Sequence, residues 1–269
     1  MDDQTIAFIG GGNMAGALIG GLLQRGLTPA DLVVVEPWAP QRDRLAAKFG
    51  LQALAEAGPA LARAGTVVWA IKPQSFAEAA APCRAHVGGA LQLSVMAGIR
   101  SERIAQATGS DRVVRAMPNT PALIGQGIAG LFARDSVTAD ERAQVEALLA
   151  PTGRTLWVAQ EADLDAVTAL SGSGPAYVFY LLEAMEAAAA RMGLPPAQGR
   201  ALAQATVAGA AALAGQSAEP PATLRAQVTS KGGTTHAAVS ALDAAGVGPA
   251  IVTAILAAQQ RAKELGDAF

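Results

Sequence analysis

The sequence is poor in the residues that bind metals or form disulfides. Its 269 residues include one cysteine, Cys83, and two histidines, His86 and His236, which lie far apart in the chain. A single cysteine cannot form an internal disulfide, which favours a reducing cytoplasm. Neither histidine has an acidic cluster beside it, so we expect no metal site.

Clusters of charge and long apolar segments are also missing. The net charge is −2 and there is no basic cluster, which argues against a nucleic-acid surface. No uninterrupted apolar segment reaches the ~20 residues of a membrane-spanning helix. The acidic first four residues run directly into an apolar segment, which is not typical of a signal peptide. We therefore expect a cytoplasmic protein without nucleic-acid or membrane partners.

Glycine is abundant, and the chain opens on a glycine-rich turn. Residues 6–16 read Ile-Ala-Phe-Ile-Gly-Gly-Gly-Asn-Met-Ala-Gly. The apolar residues predict a buried strand, and the glycines predict a tight turn that leads into a helix. Gly10, Gly12 and Ala15 match the G-x-G-x-x-A fingerprint, in which a helix N-terminus receives the pyrophosphate of a dinucleotide.

Later strand ends supply further candidates for binding NADH or NADPH. Glu36 ends a short apolar segment near the position of a ribose-binding carboxylate, although an ordinary strand-end charge is the alternative. Arg42 and Arg44 could instead meet a 2′-phosphate, so the choice of coenzyme stays open. The predicted cofactor-binding residues are Ile9, Gly10, Gly11, Gly12, Asn13, Met14, Glu36, Ala70, Ile71, Lys72, Pro73, Ala97 and Gly98.

The order of predicted elements indicates an α/β fold with two domains. Strands and helices alternate over residues 5–116, which predicts a doubly wound parallel sheet. Residues 128–133 and 155–158 are expected to add edge strands around a helix at 138–149. Strand patterns cease after about residue 160. We expect a Rossmann-type domain over residues 1–160 and an all-helical domain over 161–269.

The predicted helical region carries two features that bear on assembly and substrate binding. Alanine-rich helices at 177–192 and 197–215 have more apolar surface than a small domain can bury, which predicts a dimer. Residues 228–236 read Val-Thr-Ser-Lys-Gly-Gly-Thr-Thr-His, where a helix start could receive a carboxylate. The alternative is that the threonines only cap the helix. His236 could act as a general acid, although a surface or capping role is favoured.

Five segments together resemble one family, the pyrroline-5-carboxylate reductases. They are residues 8–15, 70–73, 115–121, 170–177 and 229–235. The resemblance covers nearly the whole chain. It implies that NAD(P)H reduces 1-pyrroline-5-carboxylate, a small cyclic imino acid, to L-proline in the last step of proline biosynthesis. It also implies an N-terminal Rossmann domain, a helical dimerisation domain, and dimers that often assemble into decamers.

The resemblance suggests roles for individual residues. Thr235 matches the threonine thought to hydrogen-bond the ring nitrogen, and is the predicted catalytic residue. The predicted substrate-binding residues are Ser230, Lys231, Gly232, Gly233, Thr234 and Asn119, the last of which could instead be a turn residue. Three positions depart from the family: Lys231 replaces a usual proline, Ala57 replaces a frequent asparagine, and Glu36 replaces a small polar residue. The last change favours NADH.

Two other functions are alternatives for the same sequence. Another Rossmann reductase, such as a 3-hydroxyacid dehydrogenase, would use a lysine on a helix of the second domain. Neither Lys231 nor Lys263 lies in such a setting. A non-catalytic NADPH sensor would not need the segments at 170–177 and 232–235, and their presence argues against this function.

Overall fold

The computed structural model describes residues 5–268, and these divide into two compact units. One unit comprises the residues up to Ser173 together with those from Ala258 onward, and the other is Gly174–Ala257. The first four residues, which bear on the signal-peptide expectation, lie outside the described residues.

The first unit is built on a seven-stranded sheet in the order β2-β1-β3-β4-β5-β6-β7. The strands are β1 (Thr5–Ile9), β2 (Leu32–Val35), β3 (Ala64–Trp69), β4 (Leu91–Ser94), β5 (Val113–Met117), β6 (Gly127–Ala133) and β7 (Gly153–Trp157). Neighbouring strands are parallel except for β5 and β6, which are antiparallel. The order changes direction between β1 and β3, and ligands of open α/β sheets bind at such a switch point.

Helices cover both faces of this sheet because its strands are apolar on both sides. In β1, Ile6 and Phe8 point into one core, whereas Ala7 and Ile9 point into the other. The helices are α1 (Asn13–Gln24), α2 (Ala39–Phe49), α3 (Phe76–Val87), α4 (Ser101–Thr108), α5 (Ala139–Leu149) and α6 (Asp163–Val167). Helices α1, α2 and α5 pack on the first face, and α3 and α4 pack on the second. The predicted doubly wound α/β fold is confirmed.

A glycine-rich segment separates α6 from the next helix. The segment Thr168–Gly172 is a π-helix, and α7 (Gly174–Arg191) follows it. Pro175 is the second residue of α7, in the first turn, where a missing N–H breaks no intrahelical bond. A Cβ on Gly172 would lie 2.6 Å from Cε of Met117, so glycine permits this close packing. The break that the sequence predicted in this region is present.

The second unit is helical throughout. Besides α7 it contains α8 (Pro196–Gln216), α9 (Pro221–Gln227), α10 (Thr234–Ala244) and the first part of α11 (Val247–Ala268). Helices α7 and α8 pack closely where a Cβ on Gly199 would lie 2.7 Å from Cβ of Ala189. Among residues 5–268, no single helix is long and apolar enough to cross a membrane; α10 and α11 meet these criteria only as a pair bent by 54°.

Candidate active site

The glycine fingerprint forms the turn between β1 and α1. Gly10 has a φ of +94°, a conformation that residues with side chains rarely adopt. A Cβ on Gly10 would lie 2.6 Å from the carbonyl oxygen of Ala70 and 2.6 Å from Cγ2 of Ile71. The turn therefore passes directly against the end of β3, at the switch point of the sheet.

Helix α1 begins with unpaired backbone groups. Gly12 is its N-cap residue, and no side chain caps the first turn. A Cβ on Gly12 would meet no atom within 4 Å, so the approach to the helix start is open. The first N–H groups of a helix have no intrahelical acceptors and carry positive potential. This arrangement fits the pyrophosphate of a dinucleotide.

A cleft of about 680 Å³ lies beside this turn, at the ends of β1, β2 and β3. Predicted cofactor residues that line it are Ile9, Gly10, Gly12, Glu36, Ala70, Ile71 and Lys72. It is also lined by Ala57, the position of the missing asparagine, and by Glu56 and Glu78, which were not predicted. The other predicted residues lie nearby in the chain: Gly11 in the turn, Asn13 and Met14 at the start of α1, Pro73 after β3, and Ala97 and Gly98 after β4.

The carboxylate of Glu36 is fixed by two backbone groups. The N–H of Gly11 donates to Oε2 at 2.9 Å, and the N–H of Trp38 donates to Oε1 at 3.0 Å. On the other side of the same turn, Nε2 of Gln41 donates to the carbonyl oxygen of Gly11 at 2.6 Å. Glu36 is therefore part of the scaffold of the glycine turn, which an ordinary strand-end charge would not be.

The two arginines considered for a 2′-phosphate have partners within the protein. Nη1 of Arg42 donates to the carbonyl oxygens of Glu36 and Pro37, at 3.0 and 2.7 Å. The guanidinium of Arg44 lies 5.3 Å from the ring centroid of Trp38, close enough for a cation–π interaction. Neither arginine lines this cleft, but Arg44 lines a neighbouring cavity that shares Gly12 with it.

The predicted substrate loop lies in the second unit, at the start of α10. Gly232 has a φ of +75°, and the N–H of Gly233 donates to the carbonyl oxygen of Ser230 at 3.1 Å. Gly233 is the N-cap residue, and no side chain caps the helix. The alternative that Thr234 or Thr235 caps α10 is therefore wrong. Free first-turn N–H groups at this position have the character of an anion receptor.

The side chains of this loop differ in exposure. Thr235 is half-buried in the first turn of α10, whereas Lys231 and Thr234 are exposed. His236 is also exposed, which agrees with the surface interpretation of this histidine.

Asn119 connects two of the sequence motifs within the first unit. Its Oδ1 accepts the N–H of Ile128 at 3.0 Å, and its Nδ2 donates to Oγ of Ser171 at 3.2 Å. The loop after β5 is thereby joined to the start of β6 and to the segment at 170–177. Asn119 does more than turn the chain locally, and its binding of substrate stays a prediction.

An ionic network that was not predicted from the sequence lies beside α4. Arg115 is 4% exposed, and its Nη1 lies 2.8 Å from Oε1 of Glu161. The same carboxylate accepts the N–H of Ser101 at 2.6 Å and its hydroxyl at 2.7 Å. Next to this pair, Arg100 forms a bidentate pair with Asp165, at 3.1 and 2.9 Å. The network ties the loop after β4, which contains Ala97 and Gly98, to the segment around α6.

Burial and pairing shift the pKa values in this network. Burial lowers the pKa of Arg115, against the opposing effect of Glu161. Burial alone would raise the pKa of Glu161, but hydrogen bonds from Ser101 and Arg115 outweigh it and hold that pKa below its ordinary value. An arginine within the apolar strand sequence Val-Val-Arg-Ala-Met was the available signal, because a buried charge needs a partner.

Comparison with known proteins decides the family. A family model described as pyrroline-5-carboxylate reductase dimerisation matches residues 161–265, and one described as NADP oxidoreductase, coenzyme F420-dependent, matches residues 5–98. A pyrroline-5-carboxylate reductase of Pseudomonas aeruginosa is 42% identical over 271 residues, covering 99% of this chain and 98% of the relative. The chain belongs to the pyrroline-5-carboxylate reductase family.

Other members of the pyrroline-5-carboxylate reductase family agree along the full length. The Haemophilus influenzae enzyme is 40% identical and covers 100% of both chains. The structure of a pyrroline-5-carboxylate reductase from Coxiella burnetii superposes with a TM-score of 0.91 at 34% identity, covering 98% of this chain and 99% of that one. The family predicted from the five segments is confirmed. The match to a dimerisation model supports a homo-oligomer.

Proposed function

We propose that this protein reduces 1-pyrroline-5-carboxylate to L-proline with NADH or NADPH, as the last step of proline biosynthesis. The observation that carries the proposal is full-length membership of one reductase family at 42% identity. The two glycine-rich helix starts, at α1 and α10, support it because each offers free N–H groups suited to an anion.

The dinucleotide would be held in the first unit. The pyrophosphate would lie at the start of α1, where Gly12 leaves the approach open. Glu36 would accept a hydrogen bond from the adenosine ribose, and the segments at 70–73 and 97–98 would contact the remainder. When bound, this cofactor supplies the hydride.

The substrate would be held by the loop at 230–235. The free N–H groups at the start of α10 would bind its carboxylate, and the hydroxyl of Thr235 would hydrogen-bond the ring nitrogen. Since the imine can arrive protonated, the protein needs no strong general acid. Catalysis then rests on orientation and proximity, which suits a loop that contains no carboxylate.

The proposal extends to the organisation of the protein. We place the boundary between the Rossmann domain and the substrate-binding dimerisation domain near residue 160, where the dimerisation model begins to match. We propose a dimer formed through residues 161–269, and decamers built from such dimers as the assembly to test. A cytoplasmic location stays a prediction.

The deciding experiment is a coupled binding and turnover assay on the purified protein. Reduction of 1-pyrroline-5-carboxylate is followed by the loss of the absorbance of the reduced nicotinamide coenzyme. The control reaction contains a 3-hydroxy acid and the oxidised coenzyme, and its turnover would increase that absorbance. We expect turnover with the imino acid only. Turnover with the hydroxy acid would favour the dehydrogenase alternative, and coenzyme binding without turnover would favour the sensor.

A further inference from the structure

We infer that the protein selects NADH over NADPH, and that Glu36 is the residue that discriminates between them. The inference rests on the proposed function only in that the cleft binds a nicotinamide dinucleotide. The inference concerns the charged side chains around the adenosine ribose. From the sequence alone, either Glu36 or the two arginines could set the preference between NADH and NADPH.

The position of the Glu36 carboxylate favours NADH over NADPH. It follows β2, where folds of this class bind the adenosine ribose, and it lines the cleft. Hydrogen bonds from Gly11 and Trp38 hold one oxygen each, so the carboxylate cannot swing away without releasing the glycine turn. Each oxygen retains a lone pair for a ribose hydroxyl. A 2′-phosphate takes the place of that hydroxyl and carries about −1.5 to −2 charge at neutral pH, so the carboxylate repels it.

The charges of the side chains that line the cleft also favour NADH. Glu36, Glu56 and Glu78 contribute three carboxylates to its lining, against one cation, Lys72. A cleft of this composition is electrostatically unfavourable for an additional phosphate.

Arg42, a nearby cation in the chain, is hydrogen-bonded to the protein backbone. Its guanidinium already donates to the carbonyl oxygens of Glu36 and Pro37. Both bonds come from Nη1 and brace the backbone that carries the discriminating carboxylate. Arg42 is therefore a positioning residue for this corner of the cleft.

The test uses nucleotide fragments, so that it needs neither substrate nor turnover. Isothermal titration calorimetry measures the affinity of the purified protein for 5′-AMP and for adenosine 2′,5′-bisphosphate. We expect 5′-AMP to bind roughly 10- to 100-fold more tightly than the bisphosphate. Only 5′-AMP keeps the 2′-hydroxyl that can form a charged hydrogen bond with Glu36, and the loss of such a bond has an effect of this size. In Glu36→Ser the preference should disappear or reverse.

Four comparisons separate charge from scaffold effects. Glu36→Ser also frees the N–H groups of Gly11 and Trp38 and should lower the affinity for both fragments, so the ratio of the two affinities is the diagnostic quantity. Salt should raise the relative affinity for the bisphosphate in the wild type, because it screens the repulsion, and should do so less in Glu36→Ser, where only Glu56 and Glu78 remain. Arg42→Ala should change both affinities alike. The exposed remote carboxylate variant Asp135→Asn should change neither.

The outcomes are distinct for the inference and for the proposed function. Equal or tighter binding of the bisphosphate by the wild type, an unchanged ratio in Glu36→Ser, or failure of both fragments to bind would overturn the inference. A selective loss of bisphosphate binding in Arg42→Ala would do the same and would assign the 2′-phosphate to Arg42. The expected fragment preference without reduction of 1-pyrroline-5-carboxylate would overturn only the proposed function.

Discussion

The two compact units differ in how much of their apolar surface one chain can bury. The first unit encloses large side chains such as Phe8, Trp69 and Phe76 completely on the two faces of its sheet. In the second unit only Ala189, Gly199 and Ala203 are buried, and none of them is larger than alanine. The second unit therefore has almost no core of its own within one chain.

Large apolar side chains of the second unit remain on its surface. They are Val178, Phe179, Tyr180, Leu181, Met192, Leu202, Leu213, Val228, Leu242, Ile251, Val252 and Leu256. Apolar surface of this extent marks an association site, and the match to a dimerisation model agrees. It follows that nucleotide binding should be a property of one chain, whereas substrate reduction should depend on assembly.

The largest expected effect comes from a charge placed on the apolar surface of the second unit. Phe179 is 58% exposed, and Phe179→Asp should weaken the dimer by roughly 100-fold or more, because a buried unpaired charge is strongly unfavourable. Turnover should fall with it, whereas binding of 5′-AMP should not change. Light scattering measures the dissociation of the dimer, and calorimetry measures the affinity for 5′-AMP. Leu156→Asp, on an exposed position of the first unit, is the control. A fully active monomer would remove the distinction between the units.

The next largest effect concerns the ionic network of the first unit. Glu161→Ala leaves the buried guanidinium of Arg115 without its carboxylate and should lower the free energy of unfolding by about 3–5 kcal/mol. Urea unfolding at fixed protein concentration measures it. Removing both charges in Arg115→Met/Glu161→Ala should recover part of the loss. If Glu161→Ala unfolds like the wild type, the pair contributes nothing to this unit.

Thr235 provides a kinetic test in the second unit. Thr235→Ala removes the hydroxyl proposed to bind the ring nitrogen but keeps the backbone N–H groups. Loss of such a bond is worth about 1–3 kcal/mol, or roughly 5- to 150-fold in kcat/KM. Since Gly233 caps the helix, melting temperature should barely change. Ser240→Ala, which removes an exposed hydroxyl farther along α10, is the matched control. Normal kinetics in Thr235→Ala would exclude the proposed catalytic role.

A smaller effect is expected in the acid stability of the first unit. The pKa of Glu161 lies below its ordinary value of 4.5 because of its hydrogen bonds, so the unfolded state takes up a proton first as pH falls. The contribution to stability is complete above about pH 5 and is lost as pH falls through the folded-state pKa. Glu161→Gln should flatten this dependence in urea unfolding at a series of pH values. The exposed Glu219→Gln should not, and an equal change in both variants would assign the dependence to other groups.

Removal of metal ions is expected to have no effect on activity. No group of three histidine, cysteine or carboxylate side chains suited to a metal occurs among residues 5–268. Dialysis against a chelator should therefore leave kcat/KM unchanged. Loss of activity that zinc restores would contradict this prediction and would require a site formed on assembly.

Features that depend only on neighbouring residues could be predicted from the sequence. Apolar segments predicted the strands, and the glycines predicted the turn before α1 and the start of α10. Gly10 and Gly232 do adopt the positive φ that makes glycine necessary there. These features are predictable because backbone conformation and hydrophobic periodicity are local properties. Five such segments in one order were enough to identify the family.

Contacts between polar groups far apart in the chain could not be predicted in this way. Glu36 accepts a hydrogen bond from Gly11, 25 residues away, and Arg115 pairs with Glu161, 46 residues away. The same holds for Arg42, which the sequence could not assign to a phosphate or to carbonyl oxygens. Such partners depend on how β1, β2 and β5 align and on which helices cover them. No pattern within a single segment carries that information, because the register and packing of distant segments set it.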